Sequence, residues 1–224
     1  MTRSYDSYAN IADNVLRVTY NREEPLGIEN IPTDGPALIA SNHRFLADPF
    51  VFGIDVLKHT GRRMTFAAKK EYADGDGLGR GVLGGPIQRL FTDLDLAPVD
   101  RGSARGLAPL IEALRPKVES GLLQAIFPEG SRSKKDGRLF KLYTGAAHIA
   151  KEFEEPIIPT TLTYQRARFG MGRTTVRSAF GVPISQDQVS DLSVSQLTDL
   201  LKDRLLGLGG QEYAGVHNPR SKGH

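Results

Sequence analysis

The chain has 224 residues, 39% hydrophobic and 25% charged, with a formal net charge of +3 and a pI near 9.1. That length allows one globular domain with a full core, and the absence of cysteine excludes disulfides, thiolate nucleophiles and cysteine-ligated zinc. The mild basicity suits an anionic membrane surface or phosphorylated substrates and is too small to argue for nucleic acid. No stretch reaches the roughly 20 apolar residues that cross a bilayer. The polar run from Thr2 to Asn10 is not that of a secretory signal.

In chain order, Tyr8, Ile11, Ala12, Val15, Leu16 and Thr19 recur at helical spacing, with Asn10, Asp13, Asn14 and Arg17 opposite. This predicts an amphipathic helix that docks on the domain or lies on a membrane. Residues 37–40 predict a short buried strand, bounded by Pro32, Gly35 and Pro36. Pro49 at a first helical position, with Asp48 before it, starts a helix to residue 58. Residues 64–68 predict a second strand, the six glycines within 74–85 a loop, and residues 94–99 a third strand. Ser103 caps a helix to Glu119 that Pro109 and Pro116 should bend or break. Strands follow over 122–127, 157–164 and 176–180, with helices over 145–153 and 193–206 and a glycine-rich tail expected to fray.

The alternation predicts an α/β fold with a mostly parallel central sheet and helices on both faces. The expected divisions are an N-terminal amphipathic helix (1–24), one domain (25–206) and a flexible tail (207–224). In such sheets the working groups gather at the carboxyl ends of the strands.

Three chemically loaded segments each follow a predicted strand. After the first come His43 and Asp48; an imidazole beside a carboxylate is the minimum equipment for activating a hydroxyl. Asp48 is also the N-cap that a helix starting at Pro49 asks for, and it reaches His43 only if the intervening loop bends. After the third comes Arg101, a guanidinium near a helix start, which suits phosphate or an ion pair with Asp95 or Asp100. After the fourth comes Pro128-Glu129-Gly130-Ser131-Arg132-Ser133. Glu129 could bind an acceptor hydroxyl, and Arg132 or Lys134 an anionic cofactor; the same run is also an ordinary surface turn.

Together Asn42-His43-x4-Asp48, Pro98-Val99-Asp100-Arg101-Gly102, Phe127-Pro128-Glu129-Gly130-Ser131-Arg132-Ser133 and Ile157-Ile158-Pro159 resemble, in order and separation, the blocks of the glycerolphosphate and lysophosphatidate acyltransferase family. The likeness covers residues 26–185, and Leu142-Tyr143-Thr144 departs from it where many members place a basic residue. It implies a glycerolphosphate-acyltransferase-like fold that moves a fatty acyl group from acyl-coenzyme A or acyl carrier protein to a lysophosphatidate-like lipid. His43 would be the general base and Asp48 its orienting carboxylate. Arg101 would bind the acceptor phosphate, Glu129, Gly130, Ser131 and Arg132 would shape the acceptor or donor pocket, and Pro159 would wall the acyl channel. The resemblance implies no metal and no permanently bound cofactor, and a cytoplasmic protein held peripherally on the inner face of the membrane, through the first helix and the segment around Val82 to Phe91. The competing readings are transfer to a non-phosphorylated acceptor, thioester hydrolysis, and a catalytically silent lipid-binding protein.

Overall fold

A computed structural model describes residue 10 and residues 13–69, 97–99, 106–133, 136–167 and 172–219. The expected loop at 74–85, the segment at 82–91, the Ser103 cap, Arg101 and Lys134 lie outside the described residues. Seven strands form one sheet: β1 (Tyr20–Arg22), β2 (Leu38–Ser41), β3 (Met64–Lys69), β4 (Ala97–Val99), β5 (Leu123–Ile126), β6 (Ile157–Gln165) and β7 (Thr174–Phe180). Their spatial order is β1-β7-β6-β2-β5-β3-β4, and every neighbouring pair is parallel except β6 with β7. Among the described residues, besides the helical residues 13–19, the sheet is accompanied by α1 (Asp48–Thr60), α2 (Leu107–Glu119), α3 (Gly145–Phe153), α4 (Gln186–Asp191) and α5 (Val194–Gly209).

Parallel strands covered on both sides read as continuous apolar runs, because both faces need side chains to bury. Along β2, Ile39 joins one core with Phe52 of α1, Phe66 and Ile158. Its neighbours Leu38 and Ala40 join the other core, with Leu114 of α2, Ile149 of α3 and Leu201 of α5. One face therefore carries α1 and the other carries α2 to α5. The expected α/β layout is the observed one.

Several local expectations needed correcting. Asp13, read onto the polar face of the first helix, is buried and paired with Arg17, Arg22 and Lys58, while Val15 and Val18 face outward. The buried face of the helical residues 13–19 is set by Asp13 and Leu16. Arg22 also meets Asp55 of α1, so three cations, Arg17, Arg22 and Lys58, offset the desolvation of two carboxylates. Neither proline interrupts α2: Pro109 falls in the first turn, where its missing N–H has no helical partner anyway, and Pro116 stands one turn from the end. Strand β1 and helix α4 were not anticipated. The second had a signature in Ser185-Gln186-Asp187-Gln188, whose capping box is formed, as is that of Ser193 and Gln196 at the start of α5.

The tail does not fray within the described residues. Gly210, left-handed at φ 59°, ends α5 three residues beyond the expected stop. Residues 211–218 then run beside 137–141, where Leu139 N donates to Glu212 O at 2.9 Å and Ala214 N to Leu139 O at 2.9 Å.

Candidate active site

β2 and β5 are adjacent and parallel, so the segments that follow them emerge side by side at one sheet edge. Beyond Ser41, the Asn42 side chain prolongs the ladder to β6: its Oδ1 accepts from Leu162 N at 2.8 Å and its Nδ2 donates to Leu162 O at 3.2 Å. His43 comes next. Its backbone is gripped from both sides, its N–H donating to Glu129 Oε1 at 2.7 Å and its carbonyl accepting from Ser133 N at 2.7 Å. The imidazole stacks on Phe127 at 3.9 Å between centroids and keeps 12% of its surface exposed.

The chain bends at 45–47, as the sequence required, and returns Asp48 to the imidazole, with His43 Nδ1 and Asp48 Oδ2 2.8 Å apart. Asp48 is the first residue of α1 and not its N-cap. Ala47 holds that position without a side-chain bond, and the Asp48 carboxylate takes its amide bonds from the loop before the helix. It is fully buried, and Oδ2 also accepts from Arg44 N at 2.5 Å and Phe45 N at 2.9 Å, while Tyr164 Oη donates to Oδ1 at 2.5 Å. Four donors thus converge on an acceptor-only group. Tyr164 comes from β6, is packed edge-on by Phe45, and has its hydroxyl pKa pushed far up by burial and then by the Asp48 charge. An imidazole giving its Nδ1 proton to such a carboxylate keeps Nε2 as the basic nitrogen. The pair is equipped to take a proton from a hydroxyl or from water.

Glu129 is a correction. It is fully buried, with Oε1 on His43 N and Oε2 on Phe140 N at 3.0 Å, so it does not face an acceptor. It joins the His43 loop to the 137–143 loop instead. Burial raises its pKa to about 7, against the pull of the two amides. Gly130 adopts φ 71° in the turn that its N–H closes onto Phe127 O, a left-handed backbone that favours glycine. Ser131 Oγ is buried without a hydrogen-bond partner, and Arg132 is half-buried with its carbonyl accepting from Asn218 Nδ2 at 3.3 Å. Pro159 is buried and, by strand alternation, shares the face of Ile157, which packs against α5. That is the face opposite Phe127 and the imidazole, so the structure does not place Pro159 on a channel beside His43. The parallel pairing of β4 with β3 sends the carboxyl end of β4, at Val99, to the same edge as His43; Arg101 lies outside the described residues. Tyr164 and Asn42 were not singled out from the sequence for these roles, Tyr164 because it reaches Asp48 from 116 residues away.

A mostly parallel α/β sheet with a histidine–aspartate pair at its carboxyl edge defines a class of proton-transferring site. The description of one family, Acyltransferase, matches residues 25–163, more than half of the chain. The chain belongs to that family. It is 30% identical over 122 residues to a 1-acyl-sn-glycerol-3-phosphate acyltransferase of Limnanthes douglasii, covering 52% of this chain and 42% of the relative. It is 28% identical over 128 residues to a protein of the same name from Helicobacter pylori, covering 57% and 48%. The matches thus span less than half the length of these relatives. The crystal structure of the 1-acyl-sn-glycerophosphate acyltransferase PlsC from Thermotoga maritima superposes with a TM-score of 0.64 at 20% identity, covering 91% of this chain and 77% of that one, and shares the fold.

Buried acids should make stability depend on pH. Burial raises Glu129 to about 7 and Glu155 to about 8, both above the 4.5 of an unfolded glutamate. The stability they contribute is full below 4.5 and is lost as pH rises through those raised values. Urea unfolding from about pH 5 to about pH 9 should show that decline, and Glu129→Gln should flatten its lower part while leaving the part due to Glu155. An unchanged profile in Glu129→Gln would contradict the burial assigned to this carboxyl.

Proposed function

We propose that the chain transfers a fatty acyl group from acyl-coenzyme A or acyl carrier protein to the hydroxyl of a lysophosphatidate-like lipid. The observation that carries this reading is the 2.8 Å His43–Asp48 pair, its carboxylate held by three further donors, in a chain of the acyltransferase family. His43 Nε2 takes the proton of the acceptor hydroxyl as its oxygen attacks the thioester carbonyl. Asp48 keeps the imidazole in the tautomer that can do this and steadies the imidazolium that forms. The tetrahedral intermediate collapses, the C–S bond breaks, and Nε2 returns the proton to the departing thiolate. The thioester is already activated, so the route needs no covalent acyl-enzyme. Arg101, just past β4, would meet the acceptor phosphate, and Gly130, Ser131 and Arg132, in the turn after β5, would border the reacting groups.

Thiol release from acyl-coenzyme A, with and without lysophosphatidate or monoacylglycerol, tests the reading. Release that depends on lysophosphatidate supports it. Release without acceptor indicates hydrolysis, release only with monoacylglycerol a non-phosphorylated acceptor, and none with any donor a binding protein. His43→Ala should lower the rate by at least about a hundredfold with the unfolding midpoint kept. Wild-type activity in that variant would remove the base assignment.

The acceptor is a lipid, so the protein works at a membrane surface in this reading, on the cytoplasmic side and without spanning it. No described helix is long and apolar enough to cross a membrane. Val15, Val18 and Leu46 of the His43 loop are exposed, and in this reading they are apolar side chains offered to lipid. Vesicles of phosphatidylcholine and phosphatidylglycerol should carry the protein upward in a flotation gradient, and the Val15→Ser/Val18→Ser variant should float less. Equal flotation of both would take the helix out of the contact.

A further inference from the structure

The base is held by more than its own loop. Glycines at 209 and 210 end α5, and Gly210 turns the chain back toward the sheet edge. A Cβ at position 209 would stand 3.2 Å from Gln211 Oε1 and 3.1 Å from Thr161 Cγ2, so the bare glycine lets the Gln211 side chain fold inward. There Gln211 Oε1 accepts from Asn42 Nδ2 at 3.0 Å, and its Nε2 donates to Gly137 O at 2.6 Å. Asn42 is the residue before His43. The loop that begins at Gly137 carries Phe140, whose N–H holds Glu129 Oε2, while Glu129 Oε1 holds the His43 N–H. One amide therefore ties both supports of the base, the Asn42 anchor and the Glu129 clasp. Residues 212–218 pin Gln211 there: besides the bonds to Leu139, Lys141 N donates to Val216 O at 2.9 Å and Asn218 Nδ2 to Arg132 O.

We propose that Gln211 is a positioning residue for His43, acting through Asn42 and the 137–140 loop, and that the strap 211–218 is a working part of the site. The strap lies beyond residue 163, where the family match ends. The proposal rests on His43 being the base, but its geometric half does not need any activity.

Removing the amide should loosen the His43 peptide without removing a substrate contact. Gln211→Ala should lower kcat about tenfold, with the KM for acyl-coenzyme A and for lysophosphatidate changed less than about twofold. Gln211→Glu keeps the oxygen facing Asn42 and should recover part of the loss. Coupling should show as non-additivity: adding Gln211→Ala to Asn42→Ala should slow the enzyme by a smaller factor than Gln211→Ala does in the wild-type protein, because only the 137–140 route is left to lose. Amide hydrogen exchange supplies the readout that is independent of turnover, and in Gln211→Ala the peptide spanning 42–45 should exchange faster while one in α1 does not. Wild-type kcat in Gln211→Ala, singles whose effects multiply, or unchanged exchange at 42–45 would each overturn the proposal. Faster exchange in the variant of a wild-type protein that transfers no acyl group would overturn the acyltransferase reading and leave the positioning intact.

Discussion

The site depends on a buried carboxylate that has no alternative to its partners. Asp48 lies at zero exposure and receives the His43 imidazole, two amides of its own loop and the Tyr164 hydroxyl. Losing any donor would leave a lone pair unsatisfied in a medium where that costs about 1–3 kcal/mol. The carboxylate therefore fixes the loop as much as the loop fixes the carboxylate. This is why a five-residue separation, which would point the two side chains apart on a helix, brings them to 2.8 Å here.

Around that centre the fold supplies two rigid supports. Asn42 extends the hydrogen bonding of β2 to β6 by one residue through its side chain, so the position before His43 is nearly as constrained as a strand. Glu129 spans two loops with its two oxygens and is fully buried, which closes it to a ligand. A site held in this way loses little entropy when it reaches the reactive geometry, which is the form in which binding energy becomes rate. The clasp has a cost as well, since burying an acid raises its pKa and links the support of His43 to pH.

Much of this was legible in the sequence because it is local. Residues 37–40 are an apolar run of strand length, Gly145–Phe153 was placed to the residue, and His43 with Asp48 stood together on one loop. What escaped notice depends on partners far along the chain. Tyr164 and Gln211 meet the site from 116 and 169 residues away, and no spacing rule announces such contacts. Glu129 was read as a ligand for the acceptor and Asp13 onto a polar helix face, yet each is buried where amides or cations offset its burial. The tail was read as frayed from glycines that in fact turn the chain onto the site.

One spectrum tests the central claim. If Asp48 orients the base, nitrogen NMR of the protein labelled at histidine should show His43 above about pH 8 with its proton on Nδ1, hydrogen-bonded, and with Nε2 unprotonated. A proton found on Nε2, or one averaged over both nitrogens, would mean that the carboxylate does not set the tautomer, and the account of this site would fail.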